Sequence, residues 1–214
     1  RAFFRLFRGA VRQSQSSYAL TAQEQNLIEY VRRNRLTYCG FPRLENICAR
    51  IRDVRQQGLT GTYVEAGVAL GGSAIVLAHL KPKAAQLVLF DVFGMIPPPS
   101  RSDGPDVHNR YDEIVSGTSM GIGSDAYYGY MSNLRDTVAA NIEKSGASLS
   151  EYNVSLIEGL YQNTMHLRQA VVFAHIDCDW YESVKTCIER IDPVMVVGGI
   201  MVFDDYYSYS GCRS

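Results

Sequence analysis

Apolar positions along this chain fall into helical periods and short unbroken runs that alternate with one another. Residues 21–33 place Leu27, Ile28 and Val31 at helical spacing behind the capping box Thr21-x-x-Glu24. Residues 42–57 repeat that period with Leu44, Ile47, Ile51 and Val54 on one face, and Gly58 stops the helix. A buried strand ends near Tyr63-Val64, residues 65–72 form a glycine-rich turn, and residues 73–80 open an apolar helix. The run QLVLF at 86–90 reads as a second strand, ending on Asp91. A helix over 131–144, a strand over 154–157 and a helical stretch over 164–169 follow. The run VVFAHI at 171–176 is a fully buried strand, with a helix over 181–191 after it. Residues 194–203 turn through Gly198-Gly199 into a last strand, IMVF, that ends on Asp204-Asp205. Strands alternating with helices, each strand apolar throughout, predict an α/β fold with a doubly wound, mainly parallel sheet covered on both faces.

Residues 93–130 break the pattern with three successive prolines, many glycines and a cluster of tyrosines, and read as a long segment of little regular structure. In a compact domain such a segment is a lid or binding element. Its Asp106, His108, Tyr111, Tyr127, Tyr128 and Tyr130 either line a pocket for a polyhydroxylated or aromatic substrate or pack the segment down. The chain divides into an N-terminal helical segment, 1–58, for capping or oligomerisation, and a catalytic unit, 59–214. A length of 214 residues suits one such unit with a sizeable core. Hydrophobic content of 46% with 20% charged residues is that of a globular protein, and a net charge of −1 offers no attraction to nucleic acid. The opening stretch RAFFRLFRGAVRQ differs, with four arginines among phenylalanines. It reads as an amphipathic helix for a membrane surface or a partner, or as one that packs on its own domain or a second subunit; burial between subunits predicts a homo-oligomer. It is not a signal peptide, and no apolar run is long enough to span a membrane. Five scattered cysteines without a CxxC pair argue against a zinc or disulfide framework and for a cytoplasmic protein with reduced thiols.

Chemistry concentrates at the ends of the strands. The turn Gly67-x-x-x-Gly71-Gly72 differs from the G-x-G-x-x-G of dinucleotide enzymes. A strand feeding a helix through glycines brings backbone N–H groups and a helix N-terminus to a ligand. Glu65, two residues before the first glycine, suits a zwitterion with an amine to satisfy, and S-adenosylmethionine (SAM) is such a ligand. Asp91 ends the second strand 26 residues after Glu65, where a carboxylate accepts both hydroxyls of a ribose or else serves as a loop carboxylate or helix cap. Asp177, Asp204 and Asp205 end two further strands. Three converging carboxylates repel one another unless a hard cation joins them, Mg²⁺ foremost, with Mn²⁺ or Ca²⁺ as substitutes; the other reading makes them helix caps. For methyl transfer such a cation, with Asp177 among its ligands, would hold two substrate oxygens and acidify the attacking hydroxyl. His175, inside FAHI, reads as a core histidine, and His108 is the histidine placed like a general base.

With these segments assembled, the chain from about Leu36 onward resembles the macrocin/mycinamicin-type sugar O-methyltransferases, a SAM- and Mg²⁺-dependent family. The likeness rests on FPRLENI, VEAGVALGGS, FDVFGMIPPP, HIDCDWYES and GGIMVFDDYYSYSGCR in that order. More distantly it resembles catechol-type O-methyltransferases, whose cofactor turn falls on Glu65, Gly67, Gly71 and Ser73 and whose metal aspartates fall on Asp177 and Asp204. The resemblance implies a seven-stranded class I methyltransferase fold, with a helix and a final hairpin expected after the strand ending at Asp205. It also implies Glu158, Gly159 and Tyr161 near the adenine and a small hydroxylated substrate, a sugar or another natural product. Trp180 stands where the catechol-type group has its lysine base. The expectation is metal-assisted O-methylation; the alternatives are a nicotinamide-dependent oxidoreductase, which the glycine spacing disfavours, and a non-catalytic scaffold.

Overall fold

A computed structural model describes residues 19–214. The opening Arg/Phe segment, and with it the homo-oligomer expectation, lies outside the described residues. Two helices come first, α1 (Ala22–Arg33) and α2 (Phe41–Gln56). The capping box of α1 forms as expected: Glu24 N donates to Thr21 Oγ1 at 3.2 Å, and Thr21 N donates to Glu24 Oε2 at 2.7 Å. There follow β1 (Thr62–Ala66), α3 (Gly72–Leu80), β2 (Leu87–Asp91), α4 (Pro105–Val115), α5 (Leu134–Lys144), β3 (Val154–Glu158) and α6 (Tyr161–Thr164). Strand β4 (Val171–Ile176), α7 (Tyr181–Ile191), β5 (Met195–Phe203) and α8 (Ser210–Arg213) complete the order.

The sheet has five strands in the order β3-β2-β1-β4-β5, every pair parallel. Of the seven strands implied by resemblance, these five are the ones among the described residues. Each strand's alternate side chains enter opposite layers, which is why the runs lack polar positions. Tyr63, Leu87 and Leu89 join one core with Ile28, Val31, Leu44, Ile47 and Val54 of α1 and α2, Ile75 of α3 and Val138 of α5. Val64, Val88, Phe90 and Ala174 face the other, against Val184, Cys187 and Ile191 of α7. The described part of the 1–58 segment is thus a covering layer of the sheet.

Three elements differ from the sequence reading. The 93–130 segment contains helix α4, opened by Pro105 at its first turn. Only Val107 and Ile114 of α4 are fully buried, so its apolar stripe is too sparse to announce a helix. The expected helix over 164–169 is instead the single turn α6, ahead of irregular chain up to β4. Strand β5 runs unbroken through Gly198-Gly199, taking them up as an irregularity in its pairing with β4 rather than as a turn.

Glu24 also bridges to Arg52, joining α1 to α2. Burial pushes the Glu24 carboxyl up, but Arg52 and Thr21 outweigh it and hold it below its ordinary value. Such a group contributes stability above its unfolded pKa of about 4.3, and the contribution is lost as pH falls through the folded value. Glu24→Gln should therefore lower the urea midpoint at pH 7, and the gap from wild type should narrow as pH drops below about 4. A gap constant down to pH 3 would count against the pairing.

Candidate functional site

The strand order reverses between β1 and β4, and in open parallel sheets ligands bind where that reversal opens a crevice beyond the strand ends. A cavity of about 710 Å³ lies there, within the usual ligand-pocket range of about 300–1,000 Å³. One side is the β1–α3 turn and the end of β2, through Gly67, Ala69 and Asp91. The other is the ends of β4 and β5, through Asp177, Asp179, Asp204 and Asp205. Tyr38 and Cys39 enter from the α1–α2 connection, Arg43 from the first turn of α2, and Tyr127, Tyr128 and Arg110 from the long segment.

The turn is shaped by close approach. Gly67 has φ +89°, and a Cβ there would lie 1.9 Å from the carbonyl oxygen of Asp177. Gly71, also at φ +89°, is the left-handed N-cap of α3 and packs against Val138. Asp91 holds the turn together: Oδ2 accepts from Val68 N at 2.6 Å and Ala69 N at 3.3 Å, and Oδ1 from Phe93 N at 2.7 Å. Burial raises its pKa even so, against those backbone N–H groups.

Not every expected cofactor residue reaches the cavity wall. Glu65 lies within β1, fully buried, and Oε1 accepts from Nδ1 of its register partner His175 at 2.8 Å. Gly71 and Ser73 are inside, Ser73 buried beneath the turn. Glu158 is exposed and Gly159 sits beside it off the wall, whereas Tyr161 lines the cavity. His108 is exposed on α4 and does not line it. Of the tyrosines, Tyr127 and Tyr128 line the cavity with ring centroids 4.4 Å apart, while Tyr130 packs the segment down by donating to Ile114 O at 2.6 Å.

The acidic cluster is asymmetric. Asp177 and Asp204 converge with Cys39, their ligand atoms within 4.8 Å of one another. Asp205 points elsewhere, to Arg43 at 3.4 Å and to Asp179. Arg43 also donates to Asp204 Oδ2 at 2.5 Å and to Ser208 Oγ at 2.5 Å. Burial raises Asp177 well above the carboxylate range, with His175 opposing and Asp204 adding. Burial and the Asp205 carboxylate do the same to Asp179. Asp204 is held low, because His175 and Arg43 outweigh its burial. Burial alone would push His175 down, but Asp204 and Glu65 lift it to about 10. Its Nε2 lies 3.8 Å from Asp204 Oδ1 and, like Glu65 Oε2, has no hydrogen-bond partner. Two converging carboxylates beside the buried, unpaired Glu65 Oε2 fit a divalent cation. Cys39, Arg43 and Asp179 carried no role in the sequence reading; Arg43 and Asp179 stood inside FPRLENI and DCDW, but only the fold carries Cys39 to the carboxylates.

A doubly wound sheet in this order, with its cavity at the β1/β4 crevice, is the fold of the class I SAM-dependent methyltransferases. Among solved structures, the O-methyltransferase NovP superposes with a TM-score of 0.66 at 22% identity, covering 83% of this chain and 70% of that one. The calicheamicin methyltransferase CalS11 superposes with a TM-score of 0.58 at 16% identity, covering 96% and 87%. The chain belongs to the macrocin-O-methyltransferase (TylF) family, whose sequence profile matches residues 2–214. It is 29% identical over 185 residues to the 8-demethyl-8-(2,3-dimethoxy-alpha-L-rhamnosyl)-tetracenomycin-C 4'-O-methyltransferase of Streptomyces olivaceus, covering 83% of this chain. It is 26% identical over 191 residues to the demethyldecarbamoylnovobiocin O-methyltransferase of Streptomyces niveus, covering 84%. The chain spans 64% and 66% of the lengths of these two relatives. Among the described residues no helix is long and apolar enough to cross a membrane.

The Gly67 contact can be separated from glycine conformation alone. Gly58 has φ +67° with open space around it, so Gly58→Ala should cost about 1–2 kcal/mol. Gly67→Ala adds the clash with Asp177 and should cost at least about twice that, because β1 and β4 must part at the cavity. Urea unfolding of both variants measures the difference; equal costs would refute the close approach.

Proposed function

We propose that this chain moves the methyl group of SAM to a hydroxyl oxygen of a sugar or other natural product, with a divalent cation, Mg²⁺ foremost, holding the acceptor. The observation that carries the reading is one cavity joining the glycine turn and Asp91 on one side to four aspartates on the other. The two relatives support the acceptor class, since both are named as O-methyltransferases of glycosylated or natural-product substrates.

When bound, SAM supplies the electrophilic methyl, and the cation supplies the charge that orients and acidifies a hydroxyl. The cofactor would be held by the Gly67 turn, by the free lone pairs of Asp91 and by Tyr161. Glu65, Gly71 and Ser73 act behind that wall by fixing the turn, and Glu158 and Gly159 border it. Asp177 and Asp204 would hold the cation, with Asp205 beside them keeping Arg43 in place. Asp179 lines the cavity hydrogen-bonded to Asp205; once the proton the two share has left to solvent, it is the carboxylate placed to take the acceptor's proton. This assigns to Asp179 the role expected of His108. Tyr127, Tyr128, Trp180 and Tyr209 line the cavity with aromatic rings, a lining that excludes water and suits the apolar face of a pyranose.

Calorimetry with SAM and with NAD tests the cofactor; binding of NAD but not SAM would overturn the reading, and binding of neither would leave a scaffold. Asp204→Ala should abolish turnover on a panel of diol-bearing sugars and catechols while SAM affinity stays within a few-fold. EDTA should do the same to the wild type, reversibly on adding Mg²⁺; full activity in EDTA would remove the cation. Asp179→Asn should lower kcat by about 10²–10⁴-fold with SAM affinity unchanged; unaltered kcat would return the search for a base to other groups.

A further inference from the structure

Cys39 stands in the short connection between α1 and α2, immediately before the Gly40 that caps α2. Its backbone N–H donates to Thr37 Oγ1 at 3.0 Å, and its thiol is turned into the cavity. There Sγ lies 3.7 Å from Asp177 Oδ2 and 3.8 Å from Asp204 Oδ2. These separations have a specific meaning. A tetrahedral zinc with Zn–S of about 2.3 Å and Zn–O of about 2.1 Å sets its sulfur and oxygen ligands about 3.6 Å apart. The thiol, within hydrogen-bond reach of both carboxylates, therefore stands from each at close to the sulfur–oxygen spacing of a small tetrahedral site. A second observation comes from the buried side. Glu65 Oε2 is a fully buried acceptor without a hydrogen-bond partner, and its negative charge bears on both Cys39 and Asp177. The polar shell behind the pair is thus incomplete without a further group in the cluster.

We propose that Cys39 adds a sulfur ligand to the Asp177–Asp204 pair, making a site for a thiophilic divalent cation of the Zn²⁺ or Cd²⁺ class that competes there with Mg²⁺. The proposal rests on the reading that this pair holds a cation. Thiolate ligands select soft or borderline metals, whereas carboxylates alone suit Mg²⁺, so one sulfur shifts the preference of the whole site. On binding, the S–H bond breaks, a sulfur–metal bond forms and the proton leaves to solvent. Arg43 does not block entry: when it yields Asp204 it keeps Asp205 and Ser208 as acceptors. Water or a substrate oxygen takes the fourth position.

The test is titration of the purified chain with Cd²⁺, reading the thiolate-to-cadmium charge-transfer absorption, together with calorimetric titrations of Zn²⁺ and Mg²⁺. The wild type should develop the band, and added Mg²⁺ should suppress it. Cys178→Ser, which removes the other thiol on the cavity wall, should keep the band. Cys39→Ser should lose it, with Zn²⁺ affinity falling at least about tenfold and Mg²⁺ affinity changing less than about threefold. Circular dichroism checks that the variants are folded, and Asp177→Asn, which retains the thiol, should weaken both cations. A band that persists in Cys39→Ser, or equal losses of Zn²⁺ and Mg²⁺ in that variant, overturns the proposal. A wild type that binds Mg²⁺ but gives no band overturns it alone; one that binds neither cation takes the metal reading down with it.

Discussion

The constraint on which the site depends is the crowding of four carboxylates, Asp177, Asp179, Asp204 and Asp205, at the ends of two adjacent strands. Like charges taken out of water are unfavourable twice over, through lost hydration and through mutual repulsion. The fold answers locally. Arg43 reaches Asp204 and Asp205 from α2, His175 stands behind Asp204, and Asp179 bonds to Asp205, which requires a proton between them. Asp177 has no cation of its own among these contacts, and burial raises its pKa well above the carboxylate range. Burial thus leaves Asp177 and Asp179 with raised proton affinity, while His175 and Arg43 hold Asp204 low.

That crowding is possible because the β1/β4 crevice is drawn tight just below it. Gly67 N donates to Phe90 O at 2.9 Å and Asp177 N to Ala66 O at 2.8 Å, so the strand ends are laced together where each leaves the sheet. Any side chain at Gly67 would meet the Asp177 backbone. Glu65 and His175, opposite each other in the register, form a buried pair beneath the turn. The cofactor side and the acidic side of the cavity are consequently one mechanical unit: moving the glycine turn moves Asp177.

The walls are more lightly fastened. Asp103 caps the start of α7 through Tyr181 N at 2.7 Å and holds Ser100, Trp180 Nε1 donates to Pro97 O at 2.8 Å, and Asp106 accepts from Ser210. These few polar contacts pin the proline-rich segment over the strand ends. From the other side Tyr38 meets Tyr128 edge-on, with ring centroids 5.5 Å apart. Walls built from loops and a helix connection can vary in sequence without disturbing the sheet.

The sequence by itself determined the parallel sheet, its two covering layers and the strand ends that carry Asp91, Asp177 and Asp204. Those features follow from local periodicity and from the rule that parallel strands present their carboxyl ends to ligands. It also determined the capping of α1, a purely local matter. Helix α4 escaped because two buried side chains in eleven residues make too faint a stripe. Glu65 read as a ligand-facing residue because spacing cannot say that strand β1 continues through it and turns its carboxylate to His175. The exposure of His108, the turning of Asp205 toward Arg43 and the arrival of Cys39 beside Asp177 and Asp204 were decided by tertiary structure alone. The last two depend on contacts between residues more than 90 positions apart, and no local pattern encodes where a distant helix connection will set one thiol.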